Sequence, residues 1–309
     1  MTEADRRAGA APYPSVAASV ASASPRLAAM ATPPRIGLAL SSGGARGFAH
    51  VGVIKALREA GFSVVNVAGS SMGAIVAAGY AVRADVAELE RWVLDFQPRD
   101  YSHRVLPVMD ATRLMAFLDE LLGGATFAEC AIPLRIVATD LRERAAATLD
   151  EGSVALAAFA SSAMPFLHRP VAWQGRLLAD GSLSCVLPIA QAQAADVDLV
   201  VGSLVSRTLP VLNGLAGGLA KSAGGLMRGW SRPYVDFFRE RAAQLSWSFP
   251  TADAAPPTVV LQPRLDRVGA LDFGRMRDAI AAGEEAVAGK LEEIRSLLRG
   301  EQDGGARQG

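Results

Sequence analysis

Residues 63–76 read Ser63-Val64-Val65-Asn66-Val67-Ala68-Gly69-Ser70-Ser71-Met72-Gly73-Ala74-Ile75-Val76, and the change of pattern inside them decides the fold. Ser63 to Ala68 is Val-rich and reads as a short buried strand. Gly69-Ser70-Ser71-Met72-Gly73 is a turn, and a helix of small residues follows from Ala74 to about Val82. The same order occurs just upstream. Ile36-Gly37-Leu38-Ala39-Leu40 reads as a strand and Ser41-Ser42-Gly43-Gly44-Ala45-Arg46-Gly47 as a glycine-rich turn. Phe48, Val51, Ile54 and Leu57 then share one helical face, with Gly61 placed to cap it. Strand, loop, helix, strand, turn, helix predicts a parallel α/β sheet with its loops at the carboxyl ends of the strands.

Further along, Asp85 to Phe96 reads as a charged helix, and Leu114, Phe117, Leu118 and Leu121 mark another. Pro133 to Ala138 is a strand leading into Thr139-Asp140, and Val154 to Ala160 is a short helix ending near Ser161-Ser162-Ala163-Met164-Pro165. Arg176 to Ala179 is a short strand that delivers Asp180-Gly181-Ser182. Asp198 to Leu204 and Thr258 to Leu261 are apolar strands. One last helix carries Met276, Ile280, Val287, Leu291, Ile294 and Leu298 on a single stripe. The organisation expected is a disordered Ala/Pro/Ser-rich leader over residues 1–34, one folded domain over 35–299 and a polar tail over 300–309.

Composition narrows the function classes. The chain has 309 residues, half of them hydrophobic (50%), enough for a sizeable core. Lys plus Arg and Asp plus Glu number 31 each, so no global charge exists to grip nucleic acid. Two cysteines, Cys130 and Cys185, exclude a disulfide scaffold and a cysteine-based zinc cluster. Only His50, His103 and His168 could serve a mechanism that needs imidazole. No run approaches the ~18–20 apolar residues of a membrane-spanning helix. The Arg6-Arg7 pair and the Val16 to Val20 run are too broken by Pro12 and Pro14 to favour an export signal, so a cytoplasmic protein is expected.

Gly69-Ser70-Ser71-Met72-Gly73 is the strongest chemical signal. A serine at a strand-to-helix turn, with glycines two residues to either side, is held above the sheet where a substrate can reach it. The helix behind it favours developing negative charge. A plain βα turn is the alternative. The Ser42 to Gly47 loop lacks the Gly-Lys-Ser/Thr end of a phosphate loop and the spacing of a dinucleotide fingerprint. With a nucleophile turn in the next βα unit, it reads better as a cradle of N–H donors for an oxyanion. The serine then needs a base. None of the three histidines sits in an obvious late-strand loop, and Asp180-Gly181 on its own reads equally well as an ordinary turn.

Taken together, Ser42-Gly43-Gly44-Ala45-Arg46-Gly47, Gly69-Ser70-Ser71-Met72-Gly73 and Asp180-Gly181-Ser182 resemble, in order, the three signatures of the patatin-like phospholipase family. Phe48-Ala49-His50-Val51-Gly52-Val53, Thr139-Asp140 and Ala160-Ser161-Ser162-Ala163-Met164-Pro165 resemble its bacterial members. The similarity runs from about Arg35 to Leu298. It implies a three-layer α/β/α fold with a mostly parallel central sheet and a serine acyl hydrolase that cleaves lipid or phospholipid esters. Ser71 would be the nucleophile and Asp180 its base, Gly43 and Gly44 would supply oxyanion N–H groups, and Arg46 would stabilise the loop or bind substrate. Neither a cofactor nor a metal is implied. Ser42 stands where the family has its first loop glycine, and Ser182 is a milder departure.

Residues Thr208 to Phe249 set five basic side chains, Lys221, Arg228, Arg232, Arg239 and Arg241, against Asp236 and Glu240, with Trp230, Phe237 and Phe238 interleaved. They read as an insertion whose apolar side chains pack onto the domain while its charges are solvated, the alternative being a lid or a peripheral contact with a membrane. Two other readings stay open at this stage. One is a His-dependent α/β-hydrolase using His50 or His168. The other is a patatin-like binding or regulatory protein with little catalysis.

Overall fold

The computed structural model describes residues 32–96, 111–164, 168–194, 196–205 and 256–300. Eight strands form one sheet: β1 (Arg35–Leu40), β2 (Ser63–Ser70), β3 (Leu134–Asp140), β4 (Ala145–Leu149), β5 (Val171–Trp173), β6 (Arg176–Ala179), β7 (Leu199–Ser203) and β8 (Thr258–Leu261). Their order is β5-β6-β3-β2-β1-β7-β8, with β4 also paired to β3. The run β3-β2-β1-β7-β8 is parallel throughout. The hairpin β5-β6 and strand β4 pair antiparallel. The fold is therefore mixed α/β around a mostly parallel sheet.

Strand alternation sends side chains to two unequal cores. Ile36, Leu38, Leu40, Val67, Leu199 and Val201 face the larger one. It is filled by helices α1 (Ala49–Glu59), α2 (Met72–Arg83), α3 (Val86–Asp95), α4 (Ala111–Leu122), α5 (Val154–Ser161), α7 (Met276–Ala288) and α8 (Leu291–Leu298). Ala39, Ala68 and Val200 face the smaller core. Among the described residues its cover is the short helix α6 (Ile189–Ala192) and the flanking chain, including Val186, Leu187 and Val197. The two faces give the three layers, with most of the described helices on one side. Asp85 caps α3, its Oδ1 accepting from the N–H groups of Ala87 and Glu88 at 2.9 Å each.

Two sequence expectations are corrected. The terminal stripe is two helices, because Gly289 ends α7 and Lys290 has non-helical backbone (φ −118°, ψ 3°) before α8 begins. Glycine is a poor helix interior residue, and the apolar stripe runs across the break without requiring one rod. Strands β4 and β5 are additions; Ala145–Leu149 and Val171–Trp173 are too short and too exposed on one face to show a period. The insertion over Thr208 to Phe249, His103, and nearly all of the leader and tail lie outside the described residues. Among the described residues, no helix is long and apolar enough to cross a membrane.

Pairing along β3 positions the site. β2 pairs with the first half of β3, ending at Ser70 opposite Val137. β4 takes the other edge of β3, from Ile136 to Asp140. β6 must therefore use the edge that β2 has left, and it pairs antiparallel there, with Ala179 opposite Thr139. β2 and β6 thus point their carboxyl ends at each other along one edge, separated by the level of Ala138. The next residue of each is Ser71 and Asp180.

Candidate active site

Ser71 occupies φ 53° and ψ −122°, a backbone region costly for any residue with a Cβ. It is the N-cap of α2, and its carbonyl starts the helix by accepting from Ala74 N–H at 2.8 Å. The flanking glycines allow the turn to close. A Cβ on Gly69 would strike the Gly73 carbonyl, and one on Gly73 would strike the Leu40 carbonyl. The spacing read from the sequence therefore has a steric cause: β2, α2 and β1 meet backbone to backbone around the serine.

Ser71 Oγ donates a hydrogen bond to Asp180 Oδ2 at 2.8 Å, across 109 positions of chain. The serine is 7% exposed and the aspartate 1%. Asp180 Oδ1 accepts from Ser182 N–H at 2.8 Å. The backbone of Asp180 is held at both ends, its N–H donating to the Ala163 carbonyl at 3.0 Å and its carbonyl accepting from Thr139 Oγ1 at 2.8 Å. Burial pushes the Asp180 carboxyl above the ordinary aspartate value, against the opposing pull of the Ser182 and Ser71 hydrogen bonds and of nearby His168. Gly181 is a steric requirement, since a Cβ there would strike the Val137 carbonyl.

The glycine loop ends β1 and opens a 3-10 turn, Gly44–Phe48. Its neighbours are tied down. Ser41 N–H donates to the Ser203 carbonyl at 3.0 Å, Ser42 N–H to the Val186 carbonyl at 3.0 Å, and Ala45 N–H to the Ala270 carbonyl at 2.8 Å. Between them the N–H groups of Gly43 and Gly44 have no acceptor among the described residues. Arg46 donates from Nε to the Val268 carbonyl at 2.7 Å, which is a loop-holding contact.

His50 is fully buried, and both its ring nitrogens are engaged: Nδ1 with Ser203 Oγ and Nε2 with the Ser41 carbonyl, each at 2.8 Å. A carbonyl only accepts, so this network assigns the ring proton to Nε2. Desolvation lowers its pKa to about 4, overriding the Ser41 hydrogen bond, so the ring is neutral at physiological pH. His50 is thus a buttress beneath the glycine loop and is not placed as a base for Ser71. His168 is buried edge-on against Phe159, with ring centroids 5.8 Å apart. The nearby thiol of Cys185 is pushed up to about 11 by burial, which removes it as a thiolate nucleophile. No cluster of three or more His, Cys, Asp or Glu suited to a metal occurs among the described residues.

Sequence reasoning left several residues of this site without a role. In the sequence Ser161, Thr139 and Ser203 fall only in or at the end of a helix or strand, with no chemical task attached. Each is a small hydroxyl at the end of a helix or strand, and only the folded contact gives it a task.

A shallow, wholly apolar crevice lies beside the Ser71 turn. Its walls include Phe48, Met72, Ile75, Val76, Trp92 and Phe117.

A strained serine on a strand-to-helix turn, hydrogen-bonded to a buried aspartate beside a glycine loop, defines a class of α/β protein with a two-residue polar centre. A family profile described as patatin-like phospholipase matches residues 38–192, and the chain belongs to that family. An uncharacterized NTE family protein of Mycobacterium tuberculosis is 38% identical over 197 residues, 62% of this chain and 52% of that protein. Lysophospholipase nte1 of Emericella nidulans is 26% identical over 286 residues, 84% of this chain and 18% of that protein. The chain thus aligns with about half the length of the mycobacterial relative and far less of the fungal one. VipD from Legionella pneumophila superposes with a TM-score of 0.45 at 15% identity, covering 87% of this chain and 67% of that one.

Proposed function

We propose that this protein is a serine acyl hydrolase that cleaves carboxylic esters of lipids through Ser71 and Asp180. The observation that carries the reading is the 2.8 Å hydrogen bond from Ser71 Oγ to Asp180 Oδ2. As Oγ attacks the ester carbonyl carbon, its proton passes to Asp180 Oδ2. The carbonyl π electrons move to oxygen, and that oxyanion is met by the Gly43 and Gly44 N–H groups. Each such donor is worth about 3 kcal/mol at the transition state. Collapse re-forms the carbonyl and expels the alcohol, which takes the proton back from Asp180. Water then attacks the acyl-serine by the same route, giving the fatty acid and free Ser71.

Burial supports Asp180 in this role, because a carboxylate with a raised pKa is a stronger base. The apolar side chains beside the Ser71 turn, Met72, Phe48 and Ile75 among them, are the kind of surface a hydrocarbon acyl chain packs on. The fungal relative is named as a lysophospholipase, which points to a phospholipid ester. Arg46 serves the loop through the Val268 carbonyl. We place the protein in the cytoplasm, with peripheral access to a lipid surface.

The test is hydrolysis of p-nitrophenyl acyl esters and a lysophospholipid, together with fluorophosphonate labelling, for wild type, Ser71→Ala and Asp180→Asn. Both substitutions are expected to remove turnover while far-UV circular dichroism is unchanged, and Ser71→Ala is expected to remove the label. Labelling that survives in Ser71→Ala, or activity that depends on His168 and not on Asp180, refutes the reading.

A further inference from the structure

The helix α5 reads Val154-Ala155-Leu156-Ala157-Ala158-Phe159-Ala160-Ser161, and Ser161, at its C-terminal end, is the one residue of the helix whose side chain can hydrogen-bond. A buried helical serine usually satisfies its hydroxyl on the carbonyl one turn back. Ser161, fully buried, does otherwise. Its Oγ donates to the Val137 carbonyl on β3 at 2.7 Å and accepts from the Ser71 backbone N–H at 2.8 Å. Two residues later, the Ala163 carbonyl accepts the Asp180 N–H at 3.0 Å. The stretch Ser161–Ala163 therefore holds the backbone of the proposed nucleophile and the backbone of its proposed base at once.

We infer that Ser161 is a positioning residue, whose hydroxyl clamps the strained Ser71 backbone to β3 and so keeps Ser71 Oγ aimed at Asp180. The inference rests on the reading of Ser71 and Asp180 given above. Ser71 sits at φ 53°, where nothing intrinsic to a serine holds it. Relaxation of that backbone swings Oγ, and the Ser71 N–H is the group through which the relaxation is resisted. The clamp also separates the tasks of neighbouring N–H groups. The Ser71 N–H is spent on Ser161, which leaves the oxyanion to the glycine loop. Val137 is the shared anchor. Its carbonyl accepts from Ser161 and is the same oxygen that a side chain on Gly181 would strike, so nucleophile, base and clamp are all referred to one peptide of β3.

Removing the acceptor is expected to slow acyl transfer by roughly 10- to 100-fold, because misplacements of about 1 Å at a reacting group cost this much. The experiment measures kcat and KM on a short soluble p-nitrophenyl ester. Active sites are counted by exhaustive fluorophosphonate labelling, for wild type, Ser71→Ala, Ser161→Ala, Ser161→Cys and Ser161→Thr. The expected result is a fall in kcat per titrated site in Ser161→Ala and Ser161→Cys, with KM within about twofold of wild type. Recovery in Ser161→Thr, which keeps the hydroxyl, is expected to within about threefold. Ser161→Cys keeps the side chain's shape at a slightly larger size and offers only a weak acceptor, so it answers the question even where the alanine leaves an unsatisfied amide and unfolds the site. A fall in the number of titratable sites with wild-type kcat per site would make Ser161 merely structural and overturn the inference. Wild-type kcat in both Ser161→Ala and Ser161→Cys would do the same. If wild type is inert, or Ser71→Ala retains turnover, the underlying assignment of Ser71 fails instead, and this inference falls with it.

Discussion

Acidification from about pH 8 to about pH 5 is expected to destabilise the protein through His50 by about 2 kcal/mol. The ring is fully buried and neutral, with its pKa lowered from 6.5 to about 4. Because the folded state resists the proton while the unfolded chain takes it at 6.5, the unfolded state binds more protons between those values. Stability is therefore complete above about 6.5, falls as pH drops, and levels off below about 4. At about 1.4 kcal/mol per pH unit the whole interval is worth roughly 3 kcal/mol, of which about two thirds is lost by about pH 5. The assay is urea unfolding of wild type and His50→Gln at both pH values. The glutamine does not titrate, so groups such as Asp180 contribute equally to both proteins and cancel in the difference. His50→Gln is expected to be less stable than wild type at about pH 8, having lost its fit between Ser203 Oγ and the Ser41 carbonyl, but to lose about 2 kcal/mol less on acidification. Equal losses in the two proteins would refute the argument that a neutral ring is locked beneath the glycine loop.

Two other outcomes follow from the same geometry. The acid limb of kcat/KM should lie above the ordinary aspartate value of 3.8, since Asp180 must be ionised to accept the Ser71 proton and burial raises its pKa; a limb at or below 3.8 counts against Asp180 as the base. Gly181→Ala should cost about 1–3 kcal/mol in urea unfolding, because its new methyl group meets the fixed Val137 carbonyl and no flexible side chain can yield; a neutral substitution would mean that β3 and the Asp180 turn are not packed as described.

The sequence makes the parallel βα units legible because β1 and β2 are buried on both faces and end in glycine turns. The strand Arg35–Leu40, the helix Ala49–Glu59 and the strand Ser63–Ser70 fall close to where the pattern puts them. The antiparallel edge is not legible in this way. β4 and β5 are short, and Ala145, Ala146 and Ala172 are exposed, so neither shows an apolar alternation. The five-residue turn at Ser71 is visible as a pattern, but its partner is not. Asp180 looks like any Asp-Gly turn until β6 takes the edge of β3 that β2 vacates, and no local periodicity encodes which edge a four-residue strand will use. Family resemblance supplied the pairing of those two residues, and the pairing of the strands gives its physical reason. Hydroxyls such as Ser161 and Thr139 were illegible for a related cause: their task is a bond to a distant backbone, and a serine or threonine carries no mark of the partner it will find.

The anchorage of the glycine loop has a bearing on where this protein can be cut. Gly43 and Gly44 lie near the start of the chain, yet Ala45 and Arg46 beside them are moored to the carbonyls of Ala270 and Val268, and the ring beneath them rests on Ser203. Residues 38–192, the span recognised by the family profile, include Ser71, Asp180 and both glycines but none of these three moorings. The recognisable span is thus smaller than the mechanical unit, and a fragment excised along its borders would keep every signature residue while leaving the cradle untethered on its far side.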